Sequence, residues 1–283
     1  MMRLEAASRA LREAFPAAAD PLAIAITHLG GVTGLMLGLS LLYWLTDRRA
    51  TALVVAYAFA GYAVVLGLKW FFALPRPPEA VWVIETSGYG FPSGHATAAA
   101  VVYGGIALEF DRVDSLARAA PLAALAVLVA LSRVVIGVHY LGDILAGLAL
   151  GTALVVAFHY GADGDPSLAF GAAGVLGLAA LSTTWGDGAV VAEVLGIVGA
   201  CLGGAVATWD MDAIPRFGSR AEAVGLVVAG LAFLVAVQAV GDAFTGPFAG
   251  VDDAVLVAGI VAMPRAVDRV WAVADARRTG SSA

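Results

Sequence analysis

Residues 119–160 read AAPLAALAVLVALSRVVIGVHYLGDILAGLALGTALVVAFHY. Two apolar runs, 119–136 and 139–160, flank a short break. A helix needs about 20 apolar residues to cross a bilayer, so each run is of spanning length. The polar residues gather at the join: Ser132 and Arg133 end the first run, His139 follows the break, and Asp143 lies one turn into the second run. His139 and Asp143 are four apart and share one helical face. Ionisable groups this close to hydrocarbon are costly, which makes each of them a candidate for function.

The rest of the chain extends the pattern. Of 283 residues, 61% are hydrophobic and 13% charged, against about 25% charged in an average soluble domain. The mean hydropathy is +0.89. A soluble domain so poor in charge could not cover its surface. A soluble enzyme and a disordered chain are therefore excluded, and the net charge of −6 excludes a nucleic-acid binder. The single cysteine, Cys201, excludes an internal disulfide framework and a cysteine-rich metal site. Further apolar stretches cover 22–46, 51–74, 94–110, 168–185, 189–208, 222–243 and 253–272, the last interrupted by Pro264 and Arg265. The expected fold is an all-α, polytopic transmembrane helical bundle of about nine spans.

Residues 1–20 differ. Leu4, Leu11 and Phe15 fall on one helical face, with Arg3, Glu5, Arg9, Arg12 and Glu13 elsewhere. This predicts a short amphipathic helix in the membrane interface. Beyond residue 160 no polar cluster stands out. Gly171, Gly174, Gly177, Gly199 and Gly203 read as helix-packing positions, His28 and His159 as packing histidines, and Glu193 as an interfacial residue.

Arginine counting sets the orientation. With loops numbered alternately, one face receives Arg48, Arg49, Arg112, Arg118, Arg216, Arg220, Arg265, Arg269, Arg277 and Arg278. That face is expected to be cytoplasmic. The N-terminus and the loops at 75–93 and 137–139 then face outward, although Arg3, Arg9 and Arg12 count against this.

Three polar groups share the outward face by parity: Lys69 with Arg76-Pro77, Pro92-Ser93-Gly94-His95, and Ser132-Arg133 with His139 and Asp143. Cations and imidazoles gathered in this way suit the holding of a phosphate and its attack. Arg76 and Arg133 offer planar forks that match phosphate oxygens. Lys69, the one lysine among 16 Lys and Arg residues, offers a point charge. Pro92-Ser93 reads as a helix entry whose free N–H groups, at Gly94 and His95, would point at an anion. A carboxylate at Asp143 can fix the His139 tautomer and stabilise the cation formed when the other ring nitrogen attacks. His95 is left as a general acid.

These residues resemble the type 2 phosphatidic acid phosphatase superfamily, which also contains the vanadium haloperoxidases. Its signature is K-x6-R-P, P-S-G-H and S-R-x5-H-x3-D, and all eleven specified positions agree. The resemblance covers about residues 22–160. It implies a phosphatase core at 21–160 within the first five spans; the hydropathy pattern adds the interfacial helix at 1–20 before it and transmembrane helices of unassigned role at 161–283 after it. The resemblance further implies His139 as a nucleophile forming a phosphohistidine, Asp143 orienting it, and His95 protonating the leaving group. Lys69, Arg76, Ser93, Gly94 and Arg133 would hold the phosphate, with no metal and no cofactor. The function expected is that of a multi-pass cell-membrane lipid phosphatase with an extracytoplasmic site. Its substrate would be a lipid phosphate: an isoprenoid diphosphate, phosphatidic acid or phosphatidylglycerol phosphate. The alternatives are a phosphotransferase using the same phosphoenzyme, a vanadate haloperoxidase and a non-catalytic membrane protein. Oligomeric state is left open.

Overall fold

The computed structural model describes residues 3–111, 114–214, 219–241 and 250–280. Arg112 and Arg216 of the arginine count lie outside the described residues, as do the side chains of Arg277 and Arg278. The described chain is helical. Its α-helices are α1 (Glu5–Glu13), α2 (Asp20–His28), α3 (Val32–Leu45), α4 (Arg48–Phe72), α5 (Gly94–Glu109), α6 (Leu116–Val135), α7 (Leu141–Ala162), α8 (Pro166–Thr184), α9 (Gly188–Thr208), α10 (Arg220–Gly241) and α11 (Val251–Gly280). Local chemistry sets several starts. Asp47, Ser93, Asp165 and Asp187 each accept a hydrogen bond from a backbone N–H in the first turn of α4, α5, α8 and α9, which satisfies donors that a helix leaves unpaired.

The chain is a multi-pass membrane protein; the expected nine spans are not confirmed among the described residues. Six described helices are long and apolar enough to cross: α4, α6, α7, α8, α9 and the described part of α10. A seventh arises if the stretch at 22–46 counts as one span; it is broken at Leu29–Gly31 and bent by 48°. The stretch at 94–110 gives a helix of only 16 residues. α11 is interrupted by charge, with Asp252 and Asp253 at its start and Arg265, Asp268 and Arg269 further on.

Helix α4 stands between the two halves, packed on α5 on one side and α8 on the other. Small residues set these distances, as close approach in lipid requires. Against α5, a Cβ at Gly147 of α7 would lie 2.7 Å from the Ser93 carbonyl oxygen, and one at Gly151 would lie 2.7 Å from Ala100 Cβ. Thr183 of α8 donates to the Gly67 carbonyl of α4 at 3.0 Å. Gly199 and Gly203 lie against the backbone of Gly250 and Ala254, so the GxxxG pair is a packing seam between α9 and α11; Gly171 faces open space and is no packing position.

Pro264 sits inside α11 and cannot donate to the Ile260 carbonyl one turn earlier. Trp44 Nε1 of α3 donates to that oxygen at 3.1 Å, and the Tyr43 hydroxyl donates to Val261 O at 3.1 Å. The freed carbonyl is thus satisfied inside the bundle, as a membrane interior demands.

Candidate active site

The C-terminal ends of α4 and α6 and the N-terminal ends of α5 and α7 come together at one end of the bundle. The tie between the two helix starts is a backbone bond, Ser93 N to Asp143 O at 3.1 Å. Around it lie all eight candidate residues. Ser93 is fully buried and caps α5 through its hydroxyl. A Cβ at Gly94 would meet only Val65, at 3.6 Å, so the space over the α5 N-terminus is open.

His139 lies in the turn between α6 and α7 and is 2% exposed. Arg76 Nη1 is 3.0 Å from His139 Nε2. A guanidinium can only donate, so Nε2 accepts with its lone pair and the ring proton sits on Nδ1. Nδ1 faces Asp143 Oδ2 at 3.4 Å. That oxygen also accepts from Tyr140 N at 2.9 Å. Burial pushes the His139 imidazole down to about 3; the bond to Asp143 opposes this, and Arg76, Arg133 and Lys69 reinforce it. His139 is therefore neutral at physiological pH.

The cations converge on the same point. Arg76 is held by carbonyl oxygens of Ser87, Gly88 and Val138 at 2.9–3.1 Å. Arg133 is 4% exposed and donates from Nη1 to Thr27 Oγ1 at 2.9 Å. Its Nε is buried without a hydrogen-bond partner among the described residues. An orphaned buried donor on a cation is expensive and marks a place for an anion. The side chain of Lys69, one turn from the end of α4, has no hydrogen bond or ion pair among the described residues; it lies within electrostatic reach of Arg76, Arg133 and Asp143. His95 is likewise within reach of Arg133, His139, Lys69 and Arg76. Its Nε2 faces the Gly30–Gly31 break between α2 and α3. Among the described residues no group of three or more His, Cys, Asp or Glu could hold a metal ion.

Residues 49–164 match the family model of the PAP2 superfamily. Two solved structures are similar to the chain. One is the first transmembrane PAP2 type phosphatidylglycerolphosphate phosphatase from Bacillus subtilis, 26% identical with a TM-score of 0.49, covering 56% of this chain and 84% of that chain. The other is Aquifex aeolicus LpxE, 19% identical with a TM-score of 0.47, covering 54% of this chain and 92% of that chain. Among curated proteins nothing matches the chain.

The matched segment runs from α4 to the end of α7, yet two residues outside it enter the site. Thr27 of α2 holds Arg133. Arg3 holds Asp143 through two bonds, Nε to Oδ1 at 2.7 Å and Nη2 to Oδ2 at 2.8 Å. Sequence reading missed both. The signal available for Arg3 was an arginine-bearing segment assigned to the wrong face for its charge.

Two of the lone polar residues elsewhere, His159 and Glu193, are paired. His159 Nδ1 lies 2.8 Å from Glu109 Oε1, which also accepts from the Tyr57 hydroxyl at 2.8 Å. Glu193 accepts from the Tyr62 hydroxyl.

Proposed function

We propose that the protein is an integral membrane lipid phosphatase that cleaves a phosphate monoester or diphosphate of a lipid through a phosphohistidine on His139. The observation that carries this reading is the Arg76–His139 contact. It places a neutral imidazole lone pair beside a guanidinium, where a phosphate oxygen would replace the nitrogen as the partner of Arg76. Nε2 is then free to attack phosphorus. In the first step the N–P bond forms, the P–O bond to the lipid breaks, and the leaving oxygen takes a proton from His95, which burial and the neighbouring cations hold neutral until the negative charge of the bound phosphate lets it take one up. In the second, water attacks phosphorus, the P–N bond breaks, and His95 takes the proton from water. Asp143 stabilises the cation that develops on the His139 ring. Lys69, Arg76, Arg133 and the N–H groups beyond Ser93 carry the phosphate charge, supplying what a divalent metal otherwise gives.

The extracytoplasmic placement is part of the proposal. Arg3, Arg9 and Arg12 count against it, and the contacts of Arg3 and Arg12 support a different role for these two. Arg3 is paired with Asp143, and Arg12 donates to the Val135 carbonyl at 2.5 Å. The Arg3 charge is neutralised by Asp143 and does not count as a free topogenic signal.

A phosphate-release panel tests the function. Purified protein is given phosphatidic acid, phosphatidylglycerol phosphate and isoprenoid diphosphates, each with EDTA present. Release with EDTA, and inhibition by vanadate, is expected. Absence of release from every lipid phosphate, or activity that EDTA abolishes and magnesium restores, refutes the reading.

A further inference from the structure

Helix α1 is bolted to the turn that carries His139. The backbone oxygen of Arg3 accepts from Gly142 N at 3.0 Å, and the Ser8 hydroxyl accepts from Leu141 N at 2.7 Å. Two otherwise unpaired donors at the start of α7 are thus capped by a segment more than a hundred residues away in sequence. The Arg3 side chain is 13% exposed and Asp143 fully buried. Its third nitrogen donates to Pro75 O at 2.5 Å, and the guanidinium lies 4.6 Å from the centroid of the Tyr140 ring. Leu4 turns with a φ of 56°, a left-handed conformation that is strained for a leucine. The chain accepts that strain where it swings Arg3 into the site.

We infer that Arg3 is a positioning residue of the His139–Asp143 pair, and that α1 is a working part of the catalytic apparatus. The inference rests on the phosphatase reading of the same site. The bond lengths carry it. Asp143 makes its short, charge-assisted, two-pronged contact with Arg3, at 2.7 and 2.8 Å, and only a 3.4 Å contact with His139. Arg3 fixes both carboxylate oxygens, so Oδ2 is held facing His139 Nδ1. It also draws off part of the negative charge that would otherwise favour a protonated imidazole, which keeps the Nε2 lone pair free.

The charged groups facing this pair come from every neighbouring element: Arg3 from the α1 segment, Lys69 from α4, Arg76 from the loop after it, His95 from α5 and Arg133 from α6. Removing Arg3 takes away the cation in direct contact with the carboxylate. The His139 titration then moves to higher pH, by about one unit or more, and the acid limb of kcat/KM moves with it.

The test reads His139 by NMR of histidine-labelled protein in nanodiscs, assigned with His139→Asn, alongside the pH profile of kcat/KM. Arg3→Met should move both upward and lower kcat/KM about 10- to 100-fold. Arg3→Lys, which keeps the charge but not the fork, should move them part of the way. Arg12→Ala removes another anchor of α1 without touching Asp143, and should leave the His139 titration in place. A wild-type titration in Arg3→Met overturns the inference whatever happens to the rate. So does an Arg12→Ala shift as large as that of Arg3→Met, since docking alone would then explain it. If Arg3→Met does not stay monodisperse, Arg3→Lys decides on the same terms. If wild-type protein turns over no lipid phosphate, the phosphatase reading fails, while the titration still decides the place of Arg3.

Discussion

Replacing Gly147 with alanine should slow the enzyme by moving the phosphate cradle without touching it. A Cβ at this position would lie 2.7 Å from the Ser93 carbonyl oxygen and 3.0 Å from Ala96 Cβ. Comfortable contact needs about 3.5 Å, so α5 must yield by somewhat more than half an ångström. The contact falls on Ser93 itself, whose turn presents the free N–H groups of the α5 start. Overpacking of this kind costs about 1–3 kcal/mol of stability. A 1 Å misplacement of catalytic groups costs about 10²-fold, so half of that predicts about a tenfold fall in kcat. Gly151→Ala is the matched control. It creates an equal clash, 2.7 Å from both Ala100 Cβ and the Thr97 carbonyl oxygen, but one turn deeper in the bundle. It should destabilise to the same degree and change kcat by less than about threefold. Both variants would be measured in nanodiscs, by thermal unfolding and by initial rates on the best substrate of the panel. Equal effects of the two alanines on kcat, or wild-type kcat in Gly147→Ala despite lost stability, would refute the reasoning.

His139→Ala should abolish both turnover and trapping of labelled phosphate, whereas His95→Ala should lose about 10²–10⁴-fold on a lipid phosphate and far less on p-nitrophenyl phosphate, whose leaving group needs no proton; trapping that survives in His139→Ala would reverse the assignment. Glu85→Cys, in the exposed part of the loop between α4 and α5, should react with an impermeant maleimide in intact cells against little background, because Cys201 is buried; labelling only after lysis would turn the site to the other face.

The site was legible because the chemistry concentrates unusual residues at fixed spacings. Arg76, Ser93 and His139 could be read together because membrane helices tolerate such groups only with cause. The turns that bring them together follow from parity alone. Arg3 was not legible. Its partner lies 140 positions away, and no local pattern marks an arginine that will pair from one that will face lipid headgroups. The span count was harder to read, for a physical reason as well. Hydropathy measures how apolar a stretch is, and the stretch at 22–46 is apolar throughout, yet Gly30 and Gly31 let the helix break beside His95. The stretch at 94–110 is short because its first turn is given over to the cradle.

The bond from Trp44 to the carbonyl freed by Pro264 has a consequence for biogenesis. The two partners are 216 residues apart. While the chain is being inserted, the indole N–H of α3 and the phenol of Tyr43 must wait in the membrane until α11 arrives, and α11 arrives with a carbonyl that its own helix cannot satisfy. Each half therefore carries an unmet polar group until the other is in place. A chain halted after α7 would keep every residue of the phosphate site, yet present two unpartnered donors to quality control.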